Sequence, residues 1–196
     1  DRPAMQKLCQ EGFLDMRKLA QLPVDELIAA LAILTDDYGV WIAEEKAKAS
    51  FAELQNYADV ANEALNHCDE ILLRLREGLA CLQTNPLALD AFRFANQVMA
   101  DQRVHSIYAL SKRRLERTQI SDFDIPKNHS WRPFQLAFIL LAIPSLADPS
   151  HKDRTSPLEA YADLLWFPIG GGKTEAYLGV AAFTMSIRRL QGNLGD

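Results

Sequence analysis

From Leu54 onward, Ala58, Ala61, Leu65, Cys68, Leu72, Leu75 and Leu79 recur every three or four residues. That spacing keeps them on one face of a helix, whereas a strand would show strict alternation. It predicts a long amphipathic helix reaching about Gln83, opened by a capping box in Ser50-Phe51-Ala52-Glu53. Asn85-Pro86 then restarts the chain, with Asn as cap and Pro at the first helical position. No Gly or Pro follows Pro86 before Arg117, so a second long helix runs that far. Two long helices joined by so short a break should fold back as an antiparallel hairpin.

Earlier residues extend the helical character. Leu22-Pro23-Val24-Asp25-Glu26-Leu27 is a helix start, followed by Leu27, Ala30, Leu31 and Leu34 at helical spacing. Tyr38 to Ala49 forms another helical segment, where Glu44 and Lys48 stand four apart. No repeat of fixed period marks a solenoid. Residues 1–117 therefore make a helical accessory domain.

Charge is unevenly distributed. The 196 residues carry a net charge of −5, which excludes a uniformly basic nucleic-acid coat. Residues 1–100 hold nine Lys/Arg against sixteen Asp/Glu, and residues 101–196 twelve against ten. A polyanion contact is better sought in the second half. Cys9, Cys68 and Cys81 are odd in number and lack C-x-x-C spacing, which fits free thiols in a reducing, cytoplasmic setting. The longest uncharged apolar run, Phe134 to Ala147, has fourteen residues and is cut by Pro144. Spanning a membrane takes about 20, so no membrane partner is expected. No secretion signal is visible.

Character changes near residue 118. Residues 118–130 are polar, contain Pro126 and read as a linker. Trp131 to Ile143 is expected to be a short helix closed by Pro144, followed by a polar loop over residues 147–157. Leu164-Leu165-Trp166-Phe167 is continuously apolar, as a parallel strand covered on both faces would be. Residues 168–172 form a glycine-rich turn, and Lys173 begins a helix reaching about Leu190. That helix is apolar around most of its circumference and belongs inside a larger sheet-and-helix body.

The order strand, Gly170-Gly171-Gly172-Lys173-Thr174, helix carries specific chemistry. Glycines let successive backbone N–H groups approach phosphate oxygens without side-chain clash. The N-terminus of the following helix adds partial positive charge at the same place. Lys173 would reach the β- and γ-phosphates of ATP, and the Thr174 hydroxyl would hold Mg²⁺. The pattern G-x-x-x-x-G-K-[ST] is met in part, since Phe167 stands at its first Gly. Upstream, the Gln135 amide can both donate to and accept from an adenine edge, and Trp131 or Phe134 can cover a base face.

Arg132-Pro133-Phe134-Gln135, an apolar helix, and an apolar strand entering Pro-x-Gly-Gly-Gly-Lys-Thr together resemble the start of a superfamily 2 helicase motor. Leu164 to Leu178 resembles, more narrowly, the helicase protein of the DISARM anti-phage defence system. Ala91 to Asn96 and Ile187 to Gly192 are similar to that family as well. The motor resemblance covers residues 131–192, and the narrower one extends weakly into the helical region. It implies that residues 131–196 begin a RecA-like α/β lobe. Gln135, with Arg132, would recognise adenine, and Gly170, Gly171 and Gly172 would cradle the phosphates. Lys173 and Thr174 would be the catalytic residues. Motor families place Thr where Ile169 stands, so one loop hydroxyl is missing here. Glu175 matches the family pattern without an assigned role, and an acid in a first helical turn already suits the dipole.

Such a motor hydrolyses ATP between two lobes and needs an acidic Mg²⁺ motif and arginine fingers. Twenty-two residues follow Thr174 and contain no Asp-Glu pair. The expectation is therefore a portion of a larger ATP-dependent DNA helicase or translocase, inactive alone. The alternative is a helical platform for a partner subunit or DNA, with nucleotide binding as a switch. A P-loop kinase or other NTPase would not need the Arg-Pro-Phe-Gln element.

Weaker candidates stand beside these. Glu63, His67 and Glu70 share a helical face, as a metal site or as a surface His between acids. The basic run Lys112 to Arg117, near His105, either touches a DNA backbone or stabilises a helix C-terminus. No G-x-S-x-G or Ser-His-Asp arrangement is visible.

Overall fold

A computed structural model describes residues 12–158, 160–166 and 170–192. Within them the chain is helical, with seven α-helices among the described residues. They are α1 (Met16–Gln21), α2 (Val24–Ala49), α3 (Ala58–Thr84), α4 (Pro86–Arg113), α5 (Pro133–Ala147), α6 (Lys152–Thr155) and α7 (Lys173–Leu190). No helix among the described residues is long and apolar enough to cross a membrane. Cys68 and Cys81 are free thiols, and burial pushes the Cys81 thiol up from its ordinary value. Cys9 lies outside the described residues.

Side-chain caps mark the starts of α1 and α4. Asp15 caps α1 by accepting from the Arg17 and Lys18 amides. Asn85 caps α4 in the same way, through the Leu87 and Ala88 amides at 3.1 Å each, with Pro86 in the first turn. The segment at Tyr38 to Ala49 is continuous with the helix that begins after Pro23. Gly39 is simply absorbed within it.

Three boundaries differ from expectation. Ser50 does not open α3: its backbone is still helical (φ −81°, ψ −3°) and its hydroxyl donates back to Ala47 O at 2.6 Å. A 3₁₀ turn over Ala52–Tyr57 intervenes before α3 begins. Helix α4 stops at Arg113 rather than Arg117, where Leu115 turns into the left-handed region at φ 60°. Helix α5 runs through Pro144 to Ala147. Pro144 lacks a donor, but its carbonyl still accepts from the Asp148 amide at 2.9 Å.

The long helices α3 and α4 meet across the Asn85 break, but each packs chiefly on other elements. Helix α3 lies against α2 and α5, and α4 lies against α7 and α1. Helices from both sides of residues 118–130 feed one buried cluster, including Leu31, Leu75, Phe92, Leu136, Leu140 and Phe183. Residues 118–130 hold two short 3₁₀ turns, Ile120–Phe123 and Pro126–Asn128.

The close approach of α3 to α5 depends on Gly78. A Cβ there would lie 2.3 Å from the carbonyl oxygen of Leu140, inside any real contact distance. At the α7 side, a Cβ on Gly179 would meet Ile139 at 2.7 Å and Trp131 at 2.9 Å. Two helices thus reach α5 through a bare backbone.

The expected strand is not formed by its described part. Residues 164–166 carry no strand pairing, and no strand partner exists for them among the described residues. Leu164 is 82% and Trp166 85% exposed, so they are uncovered rather than covered on both faces. A parallel strand needs a neighbour to satisfy its backbone, and residues 164–166 have none among the described residues. Phe167, Pro168 and Ile169 lie outside the described residues. Helix α7 spans its expected length, burying Ala176, Gly179, Ala182, Phe183 and Ile187 while Tyr177, Leu178 and Met185 remain exposed.

Candidate functional site: the glycine loop and its supports

The site forms where the start of α5 meets the start of α7. Gly172 is the residue before α7 and adopts φ +92°, a conformation open to glycine and strained for other residues. Gly170 also has a positive φ, +79°, with open space where a Cβ would stand. Helix α7 leaves its first backbone N–H groups without intrahelical partners, directly after this turn.

Two side chains from the approach to α5 hold the loop by its carbonyls. Arg132 donates through Nη1 to Gly171 O at 2.7 Å, and Gln135 donates through Nε2 to Gly172 O at 2.7 Å. Gln135 Oε1 meanwhile accepts from the Arg132 amide at 2.7 Å, fixing the turn into α5. Gln135 is 4% exposed, so these bonds satisfy an amide that burial would otherwise penalise. A primary amide has two donors and two acceptor positions. Each atom of this one therefore keeps capacity for one more bond.

The aromatic neighbours divide. Trp131 is 2% exposed and its indole N–H donates to Asn96 at 2.7 Å, with Asn96 in turn bonded to Phe92 O. It is part of the core and is not available to cover a base, which corrects one of the two aromatic candidates. Phe134 is half-buried. Thr174 is exposed and Lys173 half-buried at the first positions of α7.

Three supports escaped the sequence reading. The first is a short antiparallel pairing of the segment before α1 with residues 129–131. Met16 N donates to His129 O at 2.9 Å, and Trp131 N donates to Leu14 O at 2.8 Å. Side chains brace the same junction: His129 lies 3.1 Å from Asp15 and 3.2 Å from Asp124. Arg17 reaches Asp124 at 2.6 Å and Asp101 at 2.9 Å. The hydrogen bond from Arg17 holds the Asp124 carboxyl below its ordinary value.

The second support ties down the chain that leads into the loop. Arg74 of α3 makes a two-pronged contact with Asp163 at 2.7 Å on each side. It also contacts buried Asp153 at 3.2 Å and lies 4.4 Å from the Tyr161 ring centre. His151 reaches Glu77 at 3.0 Å beside it.

The third support is Arg103 of α4. Its Nη1 meets Glu175 Oε1 at 2.8 Å, while its Nε donates to Asn128 O at 3.1 Å. No single segment of sequence contains this pair, because 72 residues separate its members.

Arg103, Arg132, Gln135, Gly170, Gly172 and Glu175 line a partly open pocket of about 110 Å³. Pockets that enclose a drug-sized molecule run to roughly 300–1,000 Å³. This one suits a phosphate group better than a whole nucleotide. Its lining includes the guanidinium groups of Arg103 and Arg132, donors that suit an oxyanion, beside the Gln135 amide and the Glu175 carboxylate.

The other candidates lie elsewhere. His67 pairs with Glu70 at 3.2 Å on an exposed face, and no group of acids, His and Cys among the described residues is arranged to hold a metal ion. In the basic run, Lys112 sits 5.3 Å over the Tyr108 ring and Arg113 donates back to Ala109 O, both at the C-terminal end of α4.

No family model matches this chain. A relative does: the chain is 38% identical over 184 residues to "DISARM protein DrmA" of Bacillus paralicheniformis. The match takes in 92% of this chain and 15% of that protein. The chain is thus similar to a DISARM protein along nearly its whole length, while spanning a small part of it. The similarity reaches through the helical region as well as the glycine loop.

Proposed function

We propose that this chain is the N-terminal portion of an ATP-dependent DNA helicase or translocase acting in anti-phage defence. The observation that carries the reading is the contact of Arg132 and Gln135 with Gly171 and Gly172, immediately before Lys173-Thr174. The Gln135 amide and the glycine turn, 37 residues apart in sequence, are adjacent in space, which supports the reading. Similarity to a DISARM protein supports the defence setting.

Under this reading Gly170, Gly171 and Gly172 cradle the triphosphate, and the backbone at the start of α7 faces its charge. Lys173 binds the β- and γ-phosphates, and Thr174 offers its hydroxyl to Mg²⁺. The remaining hydrogen-bonding capacity of Gln135 serves the adenine edge, with Phe134 beside it. ATP bound there with Mg²⁺ would supply the phosphoanhydride whose hydrolysis to ADP and phosphate drives movement. The positive φ of Gly172, and the space a Cβ there would take from Gln135, fit a turn that must leave backbone exposed to a ligand. DNA would be engaged by the complete motor, with a partner subunit of a defence complex, in the cytoplasm.

The test is ATP-dependent DNA translocation by the full-length protein with and without Lys173→Ala. Loss of movement in the variant is expected, and equal rates would remove the assignment.

A second reading makes the helical region a platform for a partner protein. Exposed Phe51, Tyr57 and Val60, around the 3₁₀ turn before α3, favour it. Phe51→Glu with Tyr57→Glu in the full-length protein should then abolish partner capture while leaving ATP binding intact.

A further inference from the structure

Glu175 presents a conflict. Its carboxylate suits the positive N-terminus of α7, yet that is where a phosphate must sit. It is the one acidic side chain among the described residues lining the pocket, and its Oε2 comes within 3.5 Å of where a Gly172 Cβ would stand. An uncompensated carboxylate there would compete with the ligand for the same backbone dipoles.

We infer that Arg103 is a positioning residue for the phosphate loop, taking up the Glu175 carboxylate so that the loop can accept a polyphosphate. The geometry is specific. Arg103 comes from α4, in the helical region, and its guanidinium is aimed by the bond from Nε to Asn128 O. Its side chain is 35% exposed and that of Glu175 26%, so water screens the pair only in part. With Arg132, the charged side chains around the pocket are two cations and one anion. Losing Arg103 cancels that excess of positive charge, and losing the charge of Glu175 doubles it.

The inference rests on the phosphate-loop reading and adds a role for the helical region in it. That region would not only accompany the loop but also set its charge. A movement of α4 relative to α7 would part the ion pair and lower affinity for nucleotide.

The experiment measures equilibrium binding of ATP and of inorganic tripolyphosphate, which has no base, to the full-length protein. Arg103→Ala should weaken both by about tenfold, the scale of one nearby charge. Glu175→Gln should tighten both by roughly threefold, since Arg103 is then free to face the ligand. The double variant should return to within about twofold of the unaltered protein, because the two changes act through one interaction. A purely structural role for Arg103 predicts weakening that Glu175→Gln does not restore, and that result would overturn the inference. So would unchanged binding in both single variants. If Arg103→Ala does not fold, Glu175→Gln alone decides, and failure to tighten rejects the idea. Lys173→Ala separates the two levels. If it binds tripolyphosphate as well as the unaltered protein, the phosphate-loop reading falls and this inference with it. If it binds weakly while the Arg103 and Glu175 variants do not shift, only the inference falls.

Discussion

The side-chain amide of Gln135 donates a 2.7 Å hydrogen bond to the carbonyl oxygen of Gly172. One bond thus joins the first turn of α5 to the residue that caps α7. The glycine matters to it twice, through its left-handed backbone and through the missing Cβ, which would lie 2.7 Å from Gln135 Nε2.

Gly172→Ala should therefore destabilise the protein and displace Gln135 together. The left-handed conformation alone costs about 1–2 kcal/mol for a residue with a Cβ. Urea unfolding should show a loss of at least that size, and unchanged stability would mean that the turn relaxes freely.

At Gly78 the obstacle is backbone rather than a mobile side chain, the Leu140 carbonyl at 2.3 Å from a built Cβ. Gly78→Ala gains helix propensity of about 1 kcal/mol, yet must push α3 away from α5. Forced overpacking costs about 1–3 kcal/mol and sometimes more, so net destabilisation is expected. A higher melting temperature in the variant would show that the helices are not locked here.

Arg74→Ala should loosen residues 150–166, the stretch leading into the glycine loop. It strands Asp153, which is 7% exposed, and frees Asp163. Removing one partner of a buried ion pair costs about 3 kcal/mol. Hydrogen exchange at the Tyr161 amide, now bonded to Asp153 O at 2.9 Å, should accelerate strongly. Unchanged protection would show that the backbone pairing holds without the guanidinium.

Acid should weaken the junction beneath the site. Arg17 holds the Asp124 carboxyl below its ordinary value of 3.8. A carboxyl depressed by folding adds stability above its unfolded pKa, and that stability is lost as pH falls through the depressed folded value. Unfolding free energy followed below pH 4 should therefore fall less steeply in Asp124→Asn than in the unaltered protein. Parallel curves would show that the Arg17 contact contributes nothing in solution.

Helix existence was largely legible because periodicity and capping act locally. Asn85-Pro86 opens α4 and Lys173 opens α7 where the residues place them. Ends governed by alternatives a few residues apart were not. Ser50 had a capping partner three residues on, yet its hydroxyl satisfied the preceding helix instead. The apolar run at Leu164 suggests cover on both faces, but burial depends on neighbours that composition cannot name, and Leu164 and Trp166 are exposed. Trp131 looks from the sequence like an available aromatic, whereas Asn96, 35 residues earlier, draws its indole inward.

At the candidate site, local pattern points to the loop residues, and non-local contacts supply their setting. Nothing in the spacing of Arg103 and Glu175 signals that they meet, since the pairing follows from how α4 lies on α7. Only the first-turn acid was visible, with the helix dipole as sufficient cause.

The rungs from Leu14 and Met16 to Trp131 and His129 fasten an early arm of the chain beneath Arg132. A protease nick between Gly12 and Met16 would therefore be felt as slack at a guanidinium more than a hundred residues downstream. Damage to that arm would register at the glycine turn, which Arg132 holds through Gly171 O.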